Sequence, residues 1–129
     1  MKIYTDGASR GNPGKAAAAF VVINDSNKII KKKSKYIGIK TNNEAEYLAI
    51  IMALQEIKGN LTITSDSQLV IKQLRGEYKI NKPHLQELAN KVNKLVENKQ
   101  VIFKHVKRDN KYIAIADQLV NQVLDKKLK

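Results

Sequence analysis

Apolar positions change their spacing along the chain, and the changes delimit its elements. Ile3, Tyr4 and Thr5 form a β-prone run that predicts a strand ending at Asp6, and Gly7, Gly11 and Asn12-Pro13-Gly14 then read as a turn. Residues 16–23 end in β-branched side chains and predict a second strand. Asn24, Asp25, Ser26 and Asn27 read as a hairpin turn. The third strand, 28–38, carries five lysines, a composition suited to an exposed edge that resists pairing with other chains. Thr41-Asn42-Asn43-Glu44 is a capping-box pattern, so a helix is predicted from Asn42 to about Lys58. That segment is apolar around most of its circumference and therefore reads as buried.

Gly59 closes this helix, and residues 61–66 repeat the opening design, a β-prone run terminating in Asp66. A short helix over 67–74, a longer one over 83–98 with a single apolar stripe, and a strand over 101–106 follow. A polar loop, 107–111, leads into a closing helix with Ile113, Ala116, Leu119, Val120, Val123 and Leu124 on one side. Three successive strands, then helix, strand, helices, strand and helix, predict an α/β protein with a mixed sheet covered by helices.

With 129 residues the chain fits one domain, 1–129, able to bury roughly two-thirds of its unfolded surface. No apolar run approaches the roughly 18 residues of a membrane span, and Lys2 leads straight into a strand rather than an apolar leader. A cytoplasmic protein without a membrane association is expected. The chain has no Cys, so a metal would be held by oxygen or imidazole, and the 12 carboxylates make oxygen the first expectation. A formal charge of +12 points to a polyanionic partner, against the plainer reading of a solubilising lysine coat. Only three of the 24 basic residues are Arg, and lysine attracts phosphate without the rigid fork that reads bases.

Ligands of α/β sheets gather near strand ends where the connection order reverses, so Asp6 and Asp66 can meet if their strands are parallel neighbours. Glu46, just inside the buried helix, and Asp117, within the last helix, sit among apolar neighbours expected to direct them inward. Each of the four also has a plainer reading, as a turn-capping or surface acid. Four converging carboxylates would be costly without divalent cations, and an all-oxygen set suits magnesium or manganese.

In this order, Ile3-Tyr4-Thr5-Asp6-Gly7-Ala8-Ser9-Arg10-Gly11-Asn12-Pro13-Gly14, Thr41-Asn42-Asn43-Glu44-Ala45-Glu46-Tyr47, Thr64-Ser65-Asp66-Ser67-Gln68 and Ala116-Asp117-Gln118-Leu119-Val120-Asn121 resemble type 1 ribonuclease H. Leu74-Arg75-Gly76-Glu77-Tyr78-Lys79-Ile80 resembles its bacterial and archaeal members, so the likeness covers nearly the whole chain. It implies a ribonuclease H-like fold, a five-stranded mixed sheet (three antiparallel strands, then parallel ones) flanked by helices. It also implies hydrolysis of the RNA strand of RNA/DNA hybrids by two divalent ions, Mg2+ or Mn2+, giving 5′-phosphate and 3′-hydroxyl ends. The four acids fall on Asp6, Glu46, Asp66 and Asp117. Asp6 is implied to bridge both metals, Asp117 to help hold the one that activates water, and Glu46 and Asp66 the one beside the leaving oxygen. That scheme needs metals roughly 3.5–4 Å apart and no protein general base.

The resemblance further implies that Asn12, Asn42, Asn43 and Gln68 contact sugars and base edges in the minor groove, where the 2′-hydroxyl identifies RNA. Thr41 matches a position that holds a phosphate of the DNA strand, and Gly7 lets backbone approach the substrate closely. Many relatives carry a mobile His before the last helix that assists product release. Here the loop holds Lys107 and Arg108 instead, and one of them is expected to fill that space. His105 reads as structural and His84 as exposed. A chain without the tryptophan-rich basic protrusion or separate hybrid-binding domain of some members is expected, with affinity from scattered lysines and no obligate protein partner. The competing readings are a protein that binds hybrid or double-stranded RNA without turnover, and another metal-dependent nuclease of the same fold.

Overall fold

The computed structural model describes residues 1–127. Its sheet has five strands in the order β3-β2-β1-β4-β5. Strands β1 (Lys2–Gly11), β2 (Gly14–Ile23) and β3 (Ile29–Lys40) form an antiparallel meander. Strands β4 (Leu61–Ser65) and β5 (Val101–His105) add in parallel on the other side of β1. Lysine-rich β3 is thus an edge strand, as its composition predicts. In the parallel pair, Tyr4 lies opposite Thr64. Two residues further along each chain stand Asp6 and Asp66, brought side by side by this register.

The first strand does not end at Asp6. It runs five residues further, with Gly7 opposite Ala18, Ala8 opposite Ala17 and Gly11 opposite Gly14, which leaves only Asn12 and Pro13 as the turn. Small side chains along both strands permit this continuous pairing, and Asp6 is a mid-strand residue. Gly7 is there for space rather than for turning: a Cβ on it would lie 2.2 Å from the carbonyl oxygen of Ala45.

Helix α1 (Asn42–Glu56) lies against this point. The predicted capping box is present: Thr41 Oγ1 accepts from the Glu44 amide at 3.2 Å, and Glu44 Oε1 accepts from the Thr41 amide at 2.9 Å. At its other end α1 has no basic residue in its last turn, and the Lys99 ammonium reaches over to donate to the Leu54 carbonyl at 3.1 Å. A cation there favours the negative end of the helix dipole.

Tyr47, Ile50, Ile51 and Leu54 of α1 pack on Ile3, Phe20, Val22 and Ile63 of the sheet, and helix α3 (Pro83–Leu95) adds Leu85, Ala89 and Val92 to the same core. The short helix α2 (Gln68–Leu74) follows β4, capped by Ser67. Helix α4 (Lys111–Lys127) covers the opposite face, with Ile113 and Ala116 on Tyr4, Val21 and Ile23, and Val120 and Leu124 on Ala17 and Ala19. The alanines of β2 let α4 approach the sheet closely at the end where β1 carries Asp6.

Gly7→Ala should therefore destabilise the fold by about 3 kcal/mol, near the upper range for overpacking, because the new methyl meets helix backbone rather than a movable side chain. A denaturant midpoint equal to that of the parent would contradict the close approach of α1.

Candidate active site

Three elements converge on one open cavity of about 320 Å³, with Asp6, Glu46 and Asp66 in its walls. Asp6 comes from the middle of β1 and Asp66 from the residue after β4. Glu46 comes from the first turns of α1, where the capping box fixes the start of the helix. Glu44, two positions earlier, faces away and is occupied by its cap, so the helical register separates the two glutamates. One carboxylate oxygen from each of Asp6, Glu46 and Asp66 lies within 4.8 Å of the others. Asp6 is 6% exposed and Glu46 8%. The Gly7 amide donates to Glu46 Oε1 at 2.5 Å, so the backbone that α1 presses upon also orients this side chain.

Burial and crowding act together on these acids. The Asp6 carboxyl is pushed up to about 8, first by desolvation, then by the charges of Asp66 and Asp117, with Arg108 opposing. Desolvation also holds Glu46 well above the usual carboxylate range, helped by Asp6 and Asp66, while the Gly7 amide and Arg108 pull it down. Asp6 Oδ2 is buried with no hydrogen-bond partner among the described residues. An orphaned carboxylate oxygen beside two further carboxylates is a set of hard donors that fits a divalent cation.

Asp117 lines the same cavity, but it is exposed at the rim and lies outside the tight three-residue set. Its expected inward burial among apolar neighbours is corrected: α4 buries Ile113, Ala116 and Val120, and Asp117 projects beside that stripe to the edge where solvent still reaches. Asn121, one turn further along α4, donates to Asp117 Oδ2 at 3.2 Å. The loop before α4 also reaches the cavity. Arg108 pairs with Asp66, Nε to Oδ2 at 3.3 Å, although its side chain is 93% exposed. Lys107 is exposed and does not line the cavity. His105 is exposed, with Nε2 3.2 Å from the Asp66 carbonyl oxygen, which gives it a bracing place, and His84 is exposed as expected.

Asn42 and Asn43 stand in the cavity wall with Gly7, and both also border a neighbouring depression of about 320 Å³ shared with Asn12, Thr41, Lys82 and His84. Asn12 and Asn42 first serve the fold. Asn12 Oδ1 accepts from the Asn42 amide at 3.0 Å, and Asn42 Oδ1 accepts from the Ser9 amide at 2.8 Å, which staples the start of α1 to the β1–β2 hairpin. Among the described residues neither side-chain NH2 has a protein acceptor. Gln68 is exposed at the start of α2 and is not part of the cavity wall. Ser67 and Ala8 in the wall and Asn121 behind Asp117 are positions that the sequence motifs do not single out. For Asn121 a signal existed, since four residues on a helix bring side chains onto one face.

The family model for RNase H matches residues 1–125. Ribonuclease HI of Halobacterium salinarum is 38% identical over 127 residues, covering 95% of this chain and 63% of that protein. A protein described as bifunctional in Mycobacterium tuberculosis is 35% identical over 130 residues, covering 95% of this chain and 35% of its own length. The chain thus spans less than two-thirds of either relative. In solved structures, LC11-RNase H1 in complex with an RNA/DNA hybrid superposes with a TM-score of 0.92 at 36% identity, covering 99% of both chains. With the acids gathered at one sheet position and a family match over nearly its whole length, the chain belongs to the ribonuclease H family.

Proposed function

We propose that this protein is a metal-dependent endonuclease that hydrolyses the RNA strand of RNA/DNA hybrids, leaving 5′-phosphate and 3′-hydroxyl ends. The observation that carries the reading is the triad of carboxylates with oxygens within 4.8 Å, and with a buried Asp6 Oδ2 that has no hydrogen-bond partner among the described residues, on a chain of net charge +12. Asp6, Glu46, Asp66 and Asp117 would hold two divalent ions, Mg2+ or Mn2+. When bound, such ions lower the pKa of water and stabilise both attacking and leaving oxygens of a phosphodiester. The protein's own contribution is placement. Strand register sets Asp6 against Asp66, the Gly7 amide aims Glu46, and the scattered lysines draw the polyanion to the cavity.

Selectivity for RNA would come from the other wall. Asn42 and Asn43 beside the acids, with Asn12 next to them, offer amide groups able to reach sugar hydroxyls in a minor groove, and Gly7 keeps the backbone approach open. Gln68 would join them from the start of α2. Thr41, at the start of a 15-residue helix, would meet a phosphate of the DNA strand, where the helix dipole favours an anion. Arg108 would occupy the place of the product-release His, since it already reaches Asp66 from the loop before α4, with Lys107 adding charge nearby.

Asp6→Asn and Asp66→Asn should each abolish cleavage of labelled hybrid in Mg2+ or Mn2+ while leaving its affinity within a few-fold, because phosphate contacts by lysine supply most binding. Near-parental turnover by either variant would remove the assignment.

On matched sequences the enzyme should cut hybrid and spare duplex DNA, with double-stranded RNA as the third arm. Replacing single ribonucleotides near the cut by 2′-deoxy residues should suppress cleavage there. Indifference to those replacements would instead favour a general metal nuclease.

The crowded acids also set a pH dependence. Asp6 has a folded pKa of about 8 against an ordinary 3.8, so the folded protein holds a proton that the unfolded chain releases. Stability of the metal-free protein should therefore fall as pH rises from about 4 to 8. Asp6→Asn should flatten that fall, and thermal melts across this range check it; equal slopes for the two proteins would show that the Asp6 carboxyl is not raised in the fold.

A further inference from the structure

The acids on the cavity floor are held by burial and by backbone register, whereas Asp117 is exposed on a helix surface. A free aspartate there would sample several staggered rotamers, only some directed at Asp6. Contacts behind it remove that freedom. Asn121 Nδ2 donates to Asp117 Oδ2 at 3.2 Å, and Asn121 Oδ1 accepts from Arg10 Nη2 at 3.2 Å. Arg10 Nη1 is in turn paired with Asp125 Oδ1 at 2.7 Å. A carboxylate only accepts and a guanidinium only donates, so one orientation of the Asn121 amide satisfies both neighbours, the one that aims its NH2 at Asp117.

The fold builds this line of contacts from two matching periods. Asp6, Ala8 and Arg10 alternate onto the face of β1 that meets α4, and Ala8 packs against the cluster of Val120 and Leu124. Four residues of strand span roughly 13 Å. Residues 117, 121 and 125 share one helix face over roughly 12 Å. Hence Asp6 meets Asp117 at one end while Arg10 meets Asn121 and Asp125 at the other. This match exists only because β1 continues beyond Asp6 to Gly11.

We propose that Asn121, oriented by Arg10, is a positioning residue that fixes the direction of the Asp117 carboxylate and thereby sets the affinity of the rim side of the site for a divalent cation. The assignment rests on the hydrolase reading above for its catalytic consequence, though not for its consequence in cation binding.

The test uses the full chain with Asn121→Leu, Asn121→Asp and Arg10→Met. Calorimetric titration with Mn2+ and the Mg2+ dependence of single-turnover hybrid cleavage are measured for each, beside metal-free melting temperature. Asn121→Leu should raise the half-saturating Mg2+ concentration and weaken Mn2+ binding by about tenfold, and slow cleavage at low Mg2+ by about as much, the scale seen when a ligand loses its supporting partner. Excess Mg2+ should restore most of the rate, and hybrid affinity should stay unchanged. Asn121→Asp, which keeps the shape but loses the donor, should behave no better than Asn121→Leu.

Arg10→Met should shift metal dependence in the same direction by less, and adding it to Asn121→Leu should have little further effect, because both act through one carboxylate. A purely structural role would lower the metal-free melting temperature without moving the Mg2+ midpoint. Metal binding and Mg2+ midpoints within twofold of the parent in both Asn121→Leu and Arg10→Met would overturn the proposal; if Asn121→Leu does not fold, Arg10→Met carries the same criterion. A parent that binds no Mn2+ would overturn it as well. A parent that binds Mn2+ but fails to cut hybrid, with the variants still binding more weakly, would remove the hydrolase reading and leave the positioning role standing.

Discussion

The constraint on which the site depends is the approach of α1 to the backbone of Gly7. No side chain fits between them, since a Cβ would stand 2.2 Å from the Ala45 carbonyl oxygen. Because the helix is seated there, Glu46 falls beside Asp6 and receives the Gly7 amide, and the capping box at Thr41 fixes which residue of α1 takes that position. The other contributions follow from sheet register. Strand β4 joins β1 in parallel and delivers Asp66, and α4 packs on the alanines of β2 and delivers Asp117. The missing side chain of Gly7 thus seats one helix end, and strand register and the β2 alanines bring the remaining acids to it.

What this arrangement assembles is unfavourable by itself. Two carboxyls are held far above their ordinary range, and the buried Asp6 Oδ2 has no hydrogen-bond partner among the described residues. A folding-optimised core would not contain such a cluster, and the remainder of the structure offsets it with fully buried apolar packing on both faces of the sheet. Among the described residues Arg108 supplies the cation paired with these acids, but from a side chain almost entirely in solvent, where an ion pair contributes little. The weak local counter-charge leaves the acids in need of a stronger cation.

Most of this architecture is legible in the sequence because it depends on local patterns. The Thr41 to Glu44 cap, the lysines of an edge strand and the paired Ile-Tyr-Thr-Asp and Thr-Ser-Asp runs each state their structure within a few residues. The errors arise where tertiary pairing overrides local chemistry. Gly7 and Gly11 carry turn signals, yet Gly7 is a strand residue selected by helix contact, and pairing with β2 extends β1 to Gly11. The position of Asp117 was also hidden, because its apolar sequence neighbours say which face of α4 is buried and not how far a neighbouring side chain projects toward the sheet.

That extension of β1 has a consequence for how the site divides its labour. Asp6 and Glu46 are held by burial and backbone geometry, and that confinement is accompanied by displaced protonation equilibria. A rim acid avoids the desolvation cost and keeps its affinity for solvent, but it then needs direction from outside the core. Here the direction arrives through an amide that can satisfy an acceptor and a donor in only one way, anchored to the same strand that carries Asp6. The strand therefore acts on the site twice, once through a buried carboxylate and once, four residues later, through an arginine at the protein surface.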